Sequence, residues 1–161
     1  HAQTIGMTVM ELSAAAAATG VTFLAFSNTG GRLVAGVLSD YLGRTGTLAL
    51  ALIASLSGLA ALAFASAETV ALFYAGLAAV GFSLGAFMGI YPGFTAQEFG
   101  TRHNSVNFAV MFLGFALAGT VGPCLMTQLQ SAGFTAACGA AALIAATGFG
   151  FLVLYRKLKL A

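Results

Sequence analysis

Apolar residues run through this chain in long stretches, and the few charged positions that interrupt them divide it into helix-length pieces. The first stretch, about 14–39, holds one charge, Arg32, and ends where Asp40 and Arg44 mark a tight turn. A second covers about 47–65 and closes at Ser66, Ala67 and Glu68. A third covers about 70–91, where Pro92 and Gly93 are expected to loosen it before Glu98 and Arg102. From Asn104 to Tyr155 there is no charge, which leaves room for two more stretches, about 106–126 and 134–154, folded at Gln128 to Gly133. None of the pieces shows the ~10-residue alternation of a membrane barrel strand, and each is near the ~20 residues that a spanning helix needs. The pattern predicts an all-α, polytopic membrane bundle of about five helices, because a backbone in lipid must satisfy its own hydrogen bonds.

Composition strengthens that reading. Of 161 residues, 60% are hydrophobic and 6% charged, against roughly 25% charged in a soluble domain, and the mean hydropathy is +0.98. No soluble catalytic module fits. The net charge of +2 is scattered, which leaves no basic face for nucleic acid. Cys124 and Cys138 stand alone in apolar runs, so both are expected to be small buried hydrophobes, and no spacing suggests a metal or a cofactor. His103 has no catalytic partner, so an enzyme is not expected. The chain opens on His1 with no signal-peptide pattern, and is expected to be a fragment, with residues 1–161 forming one transmembrane unit. Arg44, Arg102 and the closing Arg156, Lys157 and Lys159 fall on alternate turns, which places those turns and the C-terminus in the cytoplasm.

Small residues recur at the spacing that lets helices approach closely. In the third stretch Gly81, Gly85, Gly89 and Gly93 line one face with bare backbone. The first stretch does the same with Ser27, Gly31, Ala35 and Ser39, and the fourth with Gly114, Ala118 and Gly122. Such faces serve either static packing or surfaces that slide during a transport cycle, and spacing alone fits both.

Arg32 is the most informative residue. It lies eight positions before Asp40, hence ~12 Å along the helix axis from the turn, and a central charge costs at least ~2.5 kcal/mol to insert. Snorkelling to the interface or a structural ion pair would offset that cost, but helical side chains lean toward their own N-terminus, here deeper into the bundle. The third reading is a cation facing a polar cavity, where its planar fork could grip a carboxylate. Ala25, Asn28, Thr29 and Gly36 share its face at helical spacing. Asp40 could bind a helix N-terminus or serve as a solvated partner for Arg44.

The run Gly36, Val37, Leu38, Ser39, Asp40, Tyr41, Leu42, Gly43, Arg44 is a G-x-L-x-D-x-x-G-R pattern. It resembles the signature loop of the major facilitator superfamily, which links the second and third helices of each six-helix half. Asn28 to Arg32, Phe99 to Asn107 and Gly122-Pro123, in that order, look like the oxalate/formate antiporter branch. The resemblance covers nearly the whole chain. It implies that the five spans correspond to helices eight to twelve of twelve, that an N-terminal half is missing, and that the location is a bacterial inner membrane. It also implies an anionic substrate held between an arginine on helix eight, matched by Arg32, and a lysine on helix eleven, a position that falls on Phe115. Leu84 and Met88 align with cavity-lining aromatics of helix ten.

One cation and a more apolar lining suit a monocarboxylate with an organic tail better than a compact dianion. The expectation is a secondary transporter of small organic anions working by alternating access, with Arg32 and Asn28 on the carboxylate and Phe115, Leu84 and Met88 on its apolar part. Gly36, Asp40, Gly43 and Arg44 would form a cytoplasmic latch. Two alternatives stay open: an exporter of apolar solutes in which Arg32 is structural, and a membrane scaffold subunit without transport activity.

Overall fold

Helix α1 (14–42) starts at Ser13, whose extended backbone lets its hydroxyl accept a hydrogen bond from the Ala16 N–H at 3.3 Å. That cap satisfies one of the donors a helix start leaves unpaired. The helix runs past Ser39 and stops at Gly43, whose φ of 70° and ψ of 161° break the spiral. A residue with a Cβ is strained at that φ, so glycine is what allows a reversal without a loop. Helix α2 (44–63) follows at once, and the Thr47 hydroxyl donates back to the Gly43 carbonyl at 3.0 Å. In a computed structural model of the chain, residues 7, 13–129 and 133–160 are described.

A tight turn in which the Thr69 hydroxyl accepts from the Ser66 N–H at 2.8 Å leads into α3 (Val70–Phe99). Gly100, at a φ of 82°, ends α3, and α4 (Asn104–Leu129) and α5 (Phe134–Leu160) complete the bundle. Of the expected fold at Gln128 to Gly133, residues 130–132 lie outside the described residues. At 1.5 Å per residue α3 to α5 reach roughly 40–45 Å, beyond the ~30 Å of a hydrocarbon core. The stretch from Ala14 to Ala63 and the three later helices are each long and apolar enough to cross a membrane. The all-α helix bundle read from the sequence is the architecture observed.

The third stretch does not loosen at Pro92. Helix α3 continues through it to Phe99. Proline removes one backbone donor, the partner of the Met88 carbonyl, and one turn further on the Thr95 hydroxyl donates to the Tyr91 and Pro92 carbonyls, both at 2.9 Å.

Helix α3 is the axis of the unit. It runs parallel to α1: the Tyr74 hydroxyl donates to the Ala16 carbonyl at 2.8 Å at one end, and Gly89 lies against the Arg32 backbone near the other. It runs antiparallel to α2, with Gly76 against Leu62 and Gly58 while Ala86 and Ile90 share a cluster with Leu48 and Ala51. Helix α5 closes the far side. Cys138 joins Leu62, Phe73 and Leu77 in one cluster, and Leu152 packs on the other. Helix α4 touches the rest least, and none of its strongest apolar window is buried. Its small residues Gly114 and Gly122 have nothing within 4 Å of a built Cβ, because Gly114 faces a cavity shared with α3 and Gly122 one shared with α5, so neither sits in a close backbone contact. Cys124, expected to be buried, is therefore exposed on α4, whereas Cys138 is buried.

The surface is apolar in the way a bilayer requires. Phe26, Leu33 and Phe151 are each at least 70% exposed. In water that would be an aggregation hazard; against lipid tails it carries no penalty, and small residues drive the packing instead.

Candidate functional site

The glycine ladder of α3 meets the α1 segment that carries the polar residues. A Cβ built at Gly81 would lie 2.6 Å from the Leu24 carbonyl oxygen, one at Gly85 would collide with the Asn28 carbonyl oxygen, and one at Gly89 would lie 3.1 Å from the Arg32 carbonyl oxygen. Side chains have no room there; backbone touches backbone over two turns. Gly93 continues the series against a side chain, that of Arg44, whose Nε is 2.8 Å from its built Cβ. From α1, Gly31 abuts the Phe82 carbonyl in the same tight crossing.

That contact fixes the backbone under Asn28 and Arg32. The Arg32 Nε donates to Asn28 Oδ1 at 3.3 Å, one turn toward the N-terminus, so the guanidinium leans along its helix as α-helical geometry favours. Arg32 is exposed, and among the described residues no carboxylate pairs with it. Next to it, the Thr29 hydroxyl donates to the Ala25 carbonyl at 3.2 Å and makes part of the same polar flank. Gly36 has open space around it.

A cavity of 310 Å³ lies between α3 and α4. Leu84 and Phe115 line it together, in the company of Phe87, Tyr91, Phe108 and Phe112. Phe87 and Tyr91 stack at 5.8 Å with an interplanar angle of 13°, and the Phe112 ring lies 5.0 Å from Phe115 and 5.5 Å from Phe108. The sequence reading does not single out Phe87, Tyr91, Phe108 or Phe112. Their spacing was the available signal: Phe87 and Tyr91 are four apart, and Phe108, Phe112 and Phe115 follow a single helical face. Met88, one turn beyond Leu84, is half-buried and does not line this cavity. The candidate residues therefore form two groups, Arg32 with Asn28 on α1 and Leu84 with Phe115 between α3 and α4. Among the described residues they do not share one cavity.

At the Gly43 turn, Arg44 turns away from Asp40. Its Nη1 donates to Gln97 Oε1 on α3 at 3.0 Å, while Asp40 is exposed and has no ion-pair partner among the described residues. At the same end α5 is tied to α3 by Lys159, which pairs with Glu98 and also donates to the Tyr155 hydroxyl at 3.1 Å. Among the described residues no three His, Cys, Asp or Glu side chains gather as a metal site.

No family model matches the chain, and no solved structure matches it. Among curated proteins, the chain is 34% identical over 116 residues to YhjX of Escherichia coli strain K12, described as an uncharacterized MFS-type transporter. The aligned region is 72% of this chain and 29% of that protein, so the chain spans less than a third of the length of the curated relative it matches. This similarity supports membership of the major facilitator superfamily, and with the long apolar helices it supports an integral membrane protein.

Proposed function

We propose that this chain is the C-terminal part of a secondary transporter for small organic anions, of the monocarboxylate type, that works by alternating access. The observation that carries the reading is Arg32, a cation inside a span, oriented by Asn28 and without a carboxylate among the described residues. A charge kept at that depth calls for a counter-ion, and a guanidinium with free N–H groups can take a carboxylate through two parallel hydrogen bonds. Similarity to an MFS-type transporter supports the transport activity. The resemblance of the Asn28–Arg32 and Gly36–Arg44 motifs to the oxalate/formate antiporter branch supports the anion.

Phe115 stands where that branch carries a second cation, and it lines an aromatic cavity. One arginine compensates one carboxylate, and a separate apolar wall can contact a hydrocarbon tail, whereas a dianion would leave one charge poorly compensated. In this reading Leu84 and Phe115 meet the tail, with Met88 one turn further on, and the absent half of the transporter completes the path. The helix ends that hold Arg44, Arg156 and Lys159 face the cytoplasm of a bacterial inner membrane, following the Lys/Arg bias. Gly36, Asp40, Gly43 and Arg44 form the latch at that face, with Arg44 engaging α3 through Gln97.

The aromatic character of the cavity favours one competing reading, export of apolar solutes with Arg32 as a structural charge. Competition for uptake into proteoliposomes of the full-length protein separates the two. Monocarboxylates should displace a labelled monocarboxylate at far lower concentration than oxalate or neutral aromatic solutes. Transport of neutral solutes unaffected by carboxylates would remove the anion reading.

A further inference from the structure

A second cavity, 360 Å³ in volume, opens at the end of the bundle where α1 gives way to α2, apart from the aromatic one between α3 and α4. Arg44, Arg156 and Lys159 line it, and no carboxylate does. Glu98, just behind it, is committed to Lys159. Arg44 spends its Nη1 on the neutral Gln97 amide, and Arg156 is exposed with no carboxylate partner among the described residues. Glu98 offsets one of the three cations, so two positive charges stay uncompensated around one hollow. The first turn of α2 also contributes to the lining through Thr45 and Gly46, and the positive end of a helix dipole reinforces the field. Nothing lies within 4 Å of a Cβ built at Gly43, which leaves the mouth open.

The rim has the opposite character. Leu42 lines the cavity and is 51% exposed, and Tyr41 beside it is 82% exposed. Both stand at the end of a membrane-length helix, so a hollow with a net positive lining lies directly beside exposed apolar side chains. We infer that this cavity binds the phosphate-bearing headgroup of an anionic phospholipid, with Arg44 and Arg156 on the phosphate oxygens and the acyl chains lying along Tyr41 and Leu42. The guanidinium fork matches phosphate geometry, and basic pockets between helices at a membrane face are suited to such headgroups. A free phosphate would use the same cations but would gain nothing from the rim. This inference does not depend on what the protein transports.

Native mass spectrometry of the full-length protein released from nanodiscs tests it, with phosphatidylglycerol against phosphatidylcholine, and inorganic phosphate as a separate competitor. Phosphatidylglycerol should be retained in preference to phosphatidylcholine, and Arg156→Gln should weaken retention about fivefold. Arg156 is exposed, so the variant should fold, which a single monodisperse peak in gel filtration checks. Arg102→Gln removes an exposed cation outside the cavity and should leave retention unchanged. Equal retention of the two lipids, equal losses in the two variants, or displacement of the lipid by inorganic phosphate at millimolar concentration would each overturn the assignment.

Discussion

Adding one methyl group at Gly85 should destabilise this protein, whereas the same addition at Gly30 should stabilise it. In a helix interior, glycine to alanine contributes up to about 1 kcal/mol through lost unfolded-state freedom, and that gain is common to both positions. A Cβ at Gly30 meets nothing within 4 Å, so the gain is kept. At Gly85 the new atom collides with the Asn28 carbonyl oxygen, which is backbone and cannot rotate away. Relief requires α1 and α3 to separate by roughly 1.5–2 Å, because ordinary contacts lie near 3.5–4 Å. Gly81 and Gly89 share the interface, so the contacts at Leu24 and Arg32 weaken with it.

Overpacking of this kind costs about 1–3 kcal/mol, which leaves Gly85→Ala between neutral and about 2 kcal/mol destabilised, and Gly85→Leu worse. Thermal unfolding of the purified full-length protein in one detergent, followed by intrinsic fluorescence, should rank Gly30→Ala above the parent and the parent above Gly85→Ala, with Gly85→Leu lowest. Ala78→Leu, on a half-buried position outside the ladder, should stay close to the parent. If Gly85→Ala and Gly30→Ala melt together, the close approach of α1 and α3 has been misjudged.

Three further outcomes follow from the site. Arg32→Lys should keep the protein inserted at normal levels yet lower transport at least about tenfold, because an ammonium keeps the charge but not the bidentate fork; near-normal uptake at equal expression would make Arg32 a structural charge. Phe115→Lys should weaken the preference for monocarboxylates over oxalate in the same competition assay, and an unchanged preference would place Phe115 away from the substrate. Single cysteines at Arg44, Arg102 and Lys157 in a cysteine-free protein should resist an impermeant thiol reagent added to intact cells, while one at Glu68 should react; labelling at 102 from outside would reverse the orientation.

What the sequence made legible is what one-dimensional patterns encode. Apolar length announced the helices, and the glycine between Asp40 and Arg44 marked the reversal that Gly43 performs. The four-residue spacing of Gly81, Gly85 and Gly89 marked a face on which a second backbone could lie, although not which one. The partners were hidden because they come from distant parts of the chain. Gln97 lies 53 positions beyond Arg44, and Lys159 lies 61 beyond Glu98. Nothing in either neighbourhood names its partner. Pro92 misled because its missing donor reads locally as a helix end, whereas a membrane-length helix tolerates the loss of one backbone bond and continues to Phe99. Helix α4 misled in another way: its small residues have the spacing of a contact face, but spacing is silent on how near the partner comes, and Gly114 and Gly122 face α3 and α5 across cavities instead of in close contact. The aromatic cavity was half visible, since Phe108, Phe112 and Phe115 share a face, but only the fold brings Phe87 and Tyr91 opposite them.

The joint at Gly43 has a mechanical consequence. Two long helices meet there through one residue, with no loop on either side to take up slack. A loop absorbs displacement by reshaping itself; a one-residue joint transmits it. Any tilt of α1, and with it Arg32, is passed to α2 and to Arg44 at the membrane edge, and the backbone contact with α3 ties the third rod to the same motion. The three helices behave as a single geared part, so an event at Arg32, within the span, is felt at the membrane edge without any signal passing through flexible chain. Inserting two or three residues after Gly43 would introduce play into that linkage, at the cost of the Thr47 hydrogen bond to the Gly43 carbonyl.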